Sequence, residues 1–219
     1  MIDFSKARRA MVDGQLRTND VTNSNLLDVF TVVPREVFVD QAEQSVAYAD
    51  RIVTASGGTG RQMLPPMTLG RMIQAADLKL GSEVLDVAGG AGYTAALMAA
   101  LGASVTLLEV DDIQAKAAEQ ALAVAGVRGV IVAVGPLSSG GKKSAKYDTI
   151  LINGRCESVP DSLLNKLKNG GRLICVYGSG VSSMVRVYTA TDGAIGEKRL
   201  MSASGPLLTA FSRSNEFVF

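Results

Sequence analysis

The stretch VLDVAGGAGY, Val84 to Tyr93, sets glycines at 89, 90 and 92 between an apolar strand pattern and a helical one. Glycine has no Cβ, so a ligand can approach the backbone closely there, and the next helix offers unpaired N–H groups at its start. Gly90, Gly92 and Ala95 satisfy the loose spacing of a dinucleotide fingerprint, with Glu109 about 20 residues on, where ribose hydroxyls are held. Asp86 changes the expected ligand. A carboxylate at the strand end would repel a pyrophosphate and attract a cation. S-adenosylmethionine carries a sulfonium and an ammonium, has no phosphate, and offers Glu109 two ribose hydroxyls. The competing reading is structural: Asp86 caps the turn, the glycines allow close packing, and Glu109 is one more solvated acid beside Asp111 and Asp112.

Other side chains with chemical potential are few. The chain has no histidine, which removes Ser-His and Cys-His schemes, histidine metal ligands and the commonest general base. Cys156 and Cys175 have no paired spacing for zinc or a disulfide framework, so no metal is expected and a reducing, cytoplasmic setting is favoured. Cys156 follows a strand end without a base near it in sequence, as a buried inert thiol would. Asp148, at the start of a strand, reads as a turn residue. With 22 basic against 21 acidic residues the net charge is +1, and the one dense cluster, Lys142, Lys143 and Lys146, lies among glycines and serines. No nucleic-acid surface is expected, and no segment stays apolar for the roughly 20 residues of a membrane helix.

The elements that must position these residues follow from periodicity. Up to about Ala49 the chain alternates helical signals with turns and shows no strand series. Phe4 to Leu16 fits a helix with Met11 and Leu16 inward and its arginines outward; Asn or Ser caps a second helix before Leu26, and VPREVFV ends it. This region reads as a helical lid or brace. From Glu83 onward short apolar runs alternate with helical stretches, the pattern of parallel βαβ units. EVLDVA, SVTLLE, VIVAVG, YDTILING and RLICVYG read as strands, VIVAVG and YDTILING as buried ones. YTAALMAALG and IQAKAAEQALAVAG read as helices closed by Gly102 and Gly126, and DSLLNKLKNGG as a helix stopped by two glycines. VRVYTA, GEKRL and LLTAFSR suggest an antiparallel edge, and SSGGKKSAK a mobile loop. A chain of 219 residues with 47% apolar content can fill one large core.

In order along the chain, MVDGQL, VPREVFV, AYAD, VLDVAGGAGYTAALMAAL, YDTILI and VPDSLLNKLKNGGRL make the sequence resemble the protein-L-isoaspartate O-methyltransferases over nearly its full length. The resemblance implies an α/β fold: a Rossmann-like class I methyltransferase three-layer sandwich, mostly parallel, with an antiparallel C-terminal edge. It implies one domain over 1–219, with a helical N-terminal extension and substrate loop at 1–79 and the cofactor-binding core at 80–219. It further implies S-adenosylmethionine as cofactor, and methyl transfer to the free carboxylate of damaged aspartyl residues in proteins or peptides. The expected cofactor-binding residues are Asp86, Ala88, Gly89, Gly90, Gly92, Tyr93, Glu109, Val110, Gly135 and Leu137. Such chemistry needs no histidine, because a carboxylate is already nucleophilic and a sulfonium already leaves well; catalysis is then mainly alignment in a dry site.

The chain also departs from the family. In GTGRQMLPPM, Gly58 to Met67, the position of the signature hydroxyl is Leu64, with Gln62 at the threonine position and Met63 at the apolar place between. Leucine cannot donate a hydrogen bond to a substrate carboxylate. Ala88 replaces a glycine, a mild change if φ stays negative there. Pro136 replaces the aspartate that meets adenine, and NGR puts Arg155 near the acceptor side, either to pair with a carboxylate or in a surface salt bridge. Gln62 and Arg155 are therefore the candidate acceptor-side residues. Three readings stay open: an isoaspartyl methyltransferase, a cofactor-binding module without that activity, and a methyltransferase for a small carboxylate. A fourth, an NAD-dependent oxidoreductase, is opposed by Asp86. The partner is a protein, a peptide or a small acid, with the chain a monomer or a dimer.

Overall fold

A computed structural model describes residues 2–213; Met1 and residues 214–219, part of the expected 1–219 unit, lie outside the described residues. Helix α1, Phe4–Met11, starts on Asp3, whose carboxylate accepts from the Lys6 N–H at 3.0 Å, and runs on through a wider turn over Val12–Leu16. Met11 and Leu16 are buried as expected. Arg8 differs: it turns inward to pair with Glu36 at 2.9 Å and to donate to the Tyr48 hydroxyl. Helix α2, Ser24–Val32, is capped by Asn23, which accepts from the Leu26 N–H, and ends before Pro34. A two-stranded hairpin follows, β1 (Val53–Thr54) against β2 (Gln62–Met63), and then α3, Pro66–Ala76, with proline at its first position.

The sheet begins at β3, Glu83–Val87, followed by α4, Tyr93–Ala100; β4, Ser104–Glu109; α5, Asp112–Val124; and β5, Val130–Val134. Then come β6, Tyr147–Cys156; α6, Asp161–Leu164; β7, Leu167–Tyr177; β8, Met184–Thr191; and β9, Ala194–Ser202. The strand order is β5-β4-β3-β6-β7-β8-β9, parallel through β7 and antiparallel from β7 to β9. The Rossmann-like α/β fold with its antiparallel C-terminal edge is therefore present. Its two cores lie on opposite faces: Val84 packs with α3, α4 and the N-terminal helices, whereas Leu85 and Val87 pack on the other side with Ile150, Ile152 and Leu173.

Two expectations are corrected. DSLLNKLKNGG is helical only to Leu164; Leu167 already pairs with Tyr147, and the two glycines lie inside β7. LLTAFSR is not a strand: Leu207 makes a single bridge to Arg155, and Thr209–Phe211 forms a short turn. The order of strands reverses at β3, with β4 on one side and β6 on the other, so the crevice beyond their C-terminal ends is where a ligand is expected.

Candidate active site

Asp86 lies near the end of β3 with no exposed surface. Its Oδ1 accepts a short hydrogen bond from Asn153 Nδ2 on the neighbouring β6, and Asn153 Oδ1 in turn accepts from Thr94 Oγ1 at 2.5 Å. Oδ2 has no partner. A Cβ built on Gly89 would meet that oxygen at 2.5 Å, so the residue at 89 must be glycine for the carboxylate to lie under the turn. Burial pushes the Asp86 carboxyl up to about 8, with Asn153 holding it down and the neighbouring Glu109 adding to the rise.

Glu109 ends β4 and is equally buried. Its Oε1 accepts from the Gly90 N–H at 2.8 Å, and its Oε2 takes the Val110 N–H at 3.3 Å. The same Oε2 also takes Arg61, with Nη2 at 2.7 Å and Nε at 3.3 Å. Arg61 comes from the hairpin tip, in the loop expected to bind substrate. The sequence reading missed it and Asn153. The signal for Arg61 was the one cation in GTGRQMLPPM, placed beside a position expected to bind substrate; for Asn153 it was the residue two before Arg155, on the same strand.

The other expected residues differ in burial and contacts. Gly90 has φ +61°, and a Cβ there would meet Arg61 at 3.4 Å and Ala55 at 3.5 Å; Gly92, φ +95°, begins α4. Ala88 is a correction: its φ is +57°, the left-handed region, where a Cβ costs about 1–2 kcal/mol. Tyr93 is buried among Phe30 and Phe38 with its ring 4.9 Å from the Arg35 guanidinium. Val110 is half-exposed, Gly135 donates to the Glu109 carbonyl at 2.9 Å, and Leu137 packs in the core with Leu108 while Pro136 is exposed.

On the acceptor side Leu64 is 2% exposed, its Cδ2 against Gly205, and its carbonyl accepts from Arg35 Nη2 at 2.9 Å. Gln62 is exposed. Arg155 is taken by Glu157 at 3.4 Å and by the Gly178 carbonyl at 3.0 Å, the salt-bridge alternative. Cys156 is buried with Cys175, which pushes its thiol up together with burial, and Asp148 ties the start of β6 to the Glu83 N–H and Lys168.

The donor set suits a cationic nucleoside: an unpartnered buried carboxylate oxygen, a second carboxylate at the next strand end, and a turn that only glycine allows at 89. The cavity between Arg35, Leu64, Gly89, Thr94 and Asn153 measures about 10 Å³, about one water. Among the described residues no cluster of three or more metal-ligating side chains occurs, and no helix is long and apolar enough to cross a membrane.

Residues 6–204 match the family model described as protein-L-isoaspartate(D-aspartate) O-methyltransferase. The chain is 31% identical over 194 residues to protein-L-isoaspartate O-methyltransferase 1 of Syntrophobacter fumaroxidans, covering 88% of this chain and 90% of that one. It is 34% identical over 190 residues to the Gloeobacter violaceus protein-L-isoaspartate O-methyltransferase, covering 86% and 92%. Among solved structures, a protein-L-isoaspartate O-methyltransferase superposes with TM-score 0.80 at 20% identity over 94% of this chain and 67% of that one. A Plasmodium falciparum protein of the β-aspartate methyltransferase type, solved with S-adenosyl-L-homocysteine, superposes with TM-score 0.77 at 17% identity over 93% and 98%. The fold, the paired carboxylates at the glycine turn and these matches lead to one assignment: the chain belongs to the protein-L-isoaspartate(D-aspartate) O-methyltransferase family.

Proposed function

We propose that this chain is an S-adenosylmethionine-dependent O-methyltransferase acting on the free carboxylate of isoaspartyl residues, working as one unit in the cytoplasm with its N-terminal segment as the cover of the site. The observation that carries the reading is the pair Asp86 and Glu109, both fully buried on either side of the glycine turn in a chain of this family. When bound, the cofactor supplies a methyl group on a sulfonium. Glu109 would hold the ribose hydroxyls, and Asp86, bridged to Thr94 through Asn153, would set a negative charge beside the cationic end once its own proton has left. Met63 and Leu64 give the acceptor side a buried apolar wall, which excludes water without supplying a base.

Transfer of radiolabelled methyl from the cofactor to an isoaspartyl peptide, as a base-labile ester, tests this reading; cofactor binding with no transfer would move the assignment to a second one. That second reading, a cofactor-binding protein without isoaspartyl turnover or one that methylates a small carboxylic acid, is favoured by Leu64, whose buried side chain stands where the substrate-orienting hydroxyl belongs.

A further inference from the structure

Arg61 occupies the carboxylate that the proposed cofactor needs. Its Nε and Nη2 converge on Glu109 Oε2, at 3.3 and 2.7 Å, and its Cβ and Cγ lie 3.4 and 3.9 Å from where a Cβ on Gly90 would be. The side chain therefore fills the approach to the turn and satisfies the acid beyond it. Arg61 retains 17% exposure while Glu109 has none, so the pair has one wet end and one dry end.

The hairpin is built to move at its tip and stay fixed at its base. At the base, Val53 pairs with Met63 and Thr54 with Gln62, and the buried Arg35 bonds the Ala47 and Leu64 carbonyls at 2.8 and 2.9 Å. At the tip, Gly57, Gly58 and Gly60 are exposed and have φ of +93°, +67° and +72°, conformations glycine can leave and re-enter at little cost. Ala55, buried and bridged to Val39, is the tip's fixed end; beyond it the ties are few: Ala55 N–H to the Arg61 carbonyl, Ser56 N–H to the Phe38 carbonyl, Arg61 N–H to Thr59 Oγ1, and the seat of Gly57 against Ala117 of α5.

We infer that Arg61 is a latch: it holds the hairpin tip, residues 55–61, closed over Glu109 and competes with the cofactor for that carboxylate. The inference rests on the proposed function. Withdrawing Arg61 alone strands a buried charge on Glu109, so opening is unfavourable until hydroxyl donors replace the guanidinium. The apparent affinity for the cofactor is then lowered by the fraction of molecules that are open, and any change that frees the tip raises it.

The test is calorimetric titration of S-adenosyl-L-homocysteine into the wild-type chain, Arg61→Ala and Arg61→Gln, together with hydrogen exchange of residues 55–61 without ligand. The latch predicts binding at least tenfold tighter in Arg61→Ala, an intermediate affinity in Arg61→Gln, and faster tip exchange in both. Should Arg61→Ala fail to fold, Arg61→Gln, which keeps an N–H for Glu109, carries the comparison. Equal affinities in all three proteins, or unchanged tip protection, would overturn the latch and leave the cofactor assignment standing. Absence of binding in every variant, with the tip loosened, would overturn the competition and the cofactor assignment together.

Discussion

Asp86 is the residue on which pH acts most directly. Its carboxyl is ordinarily near 3.8 and is raised by burial to about 8, so the folded chain keeps this proton up to about 8 while the unfolded chain gives it up near 3.8. The stability this residue contributes is thus full below about 4, falls as pH rises, and is gone above about 8. Asp86→Asn removes the dependence, so its stability relative to wild type should climb between pH 5 and 9 by a few kcal/mol, about 1.4 for each tenfold difference in proton affinity between the folded and unfolded chains. Urea midpoints for both proteins across that range check this; a constant gap would contradict it. In the proposed role of Asp86, the same proton must leave before the carboxylate can face a cation. Affinity for S-adenosylmethionine should therefore rise with pH by up to about tenfold per pH unit and level off near 8, as calorimetry would show. Leu64 is buried against Gly205 at the position proposed for a substrate-orienting hydroxyl. Leu64→Ser should lower stability by about 3 kcal/mol in urea unfolding, because Gly205 then faces a cavity, and should raise methyl transfer to an isoaspartyl peptide.

The hairpin over the site depends on Arg35. Its Nε and Nη2 serve carbonyls 17 residues apart, at Ala47 and Leu64, in a place with no exposed surface. Arg35→Ala should cost about 3 kcal/mol or more, since two buried carbonyls lose their donors, and Arg35→Lys should rescue little because one ammonium cannot match a planar fork. Unfolding midpoints decide this, and full rescue by lysine would count against the anchor. Several elements were legible from a short apolar run: β3, β4, β5 and β6 stand where their runs are, although β5, expected to be buried, is an edge strand with Ile131 and Val134 exposed. The segment after Pro160 was not. Leu163, Leu164 and Leu167 repeat at helical spacing, yet Leu167 is drawn into the sheet by Tyr147. The ladder then skips from the Tyr147–Leu167 pair to Thr149–Arg172. Gly171 sits in that irregularity, where a Cβ would lie 2.9 Å from the Lys168 and Tyr147 carbonyls. Such a glycine reads as a helix stop until its strand partner is known.

Across the whole molecule the two acids were readable and their partners were not. Asp86 and Glu109 stand at strand ends that local pattern identifies. Asn153 and Arg61 reach them across 67 and 48 residues of chain, by way of the order β4-β3-β6 and the fold of a hairpin onto a turn. The positive φ at Ala88 was invisible for the same reason, because alanine gives no hint of a left-handed turn. Arg35, in the N-terminal segment read as a lid or brace, ties the Ala47 and Leu64 carbonyls together across the chain. The most direct test is the crystal structure of this chain grown with saturating S-adenosyl-L-homocysteine. It should show the ribose hydroxyls within hydrogen-bond distance of Glu109, with the Arg61 guanidinium displaced from it. A crevice still closed, with Arg61 on Glu109 and the nucleoside absent or bound elsewhere, would contradict the account.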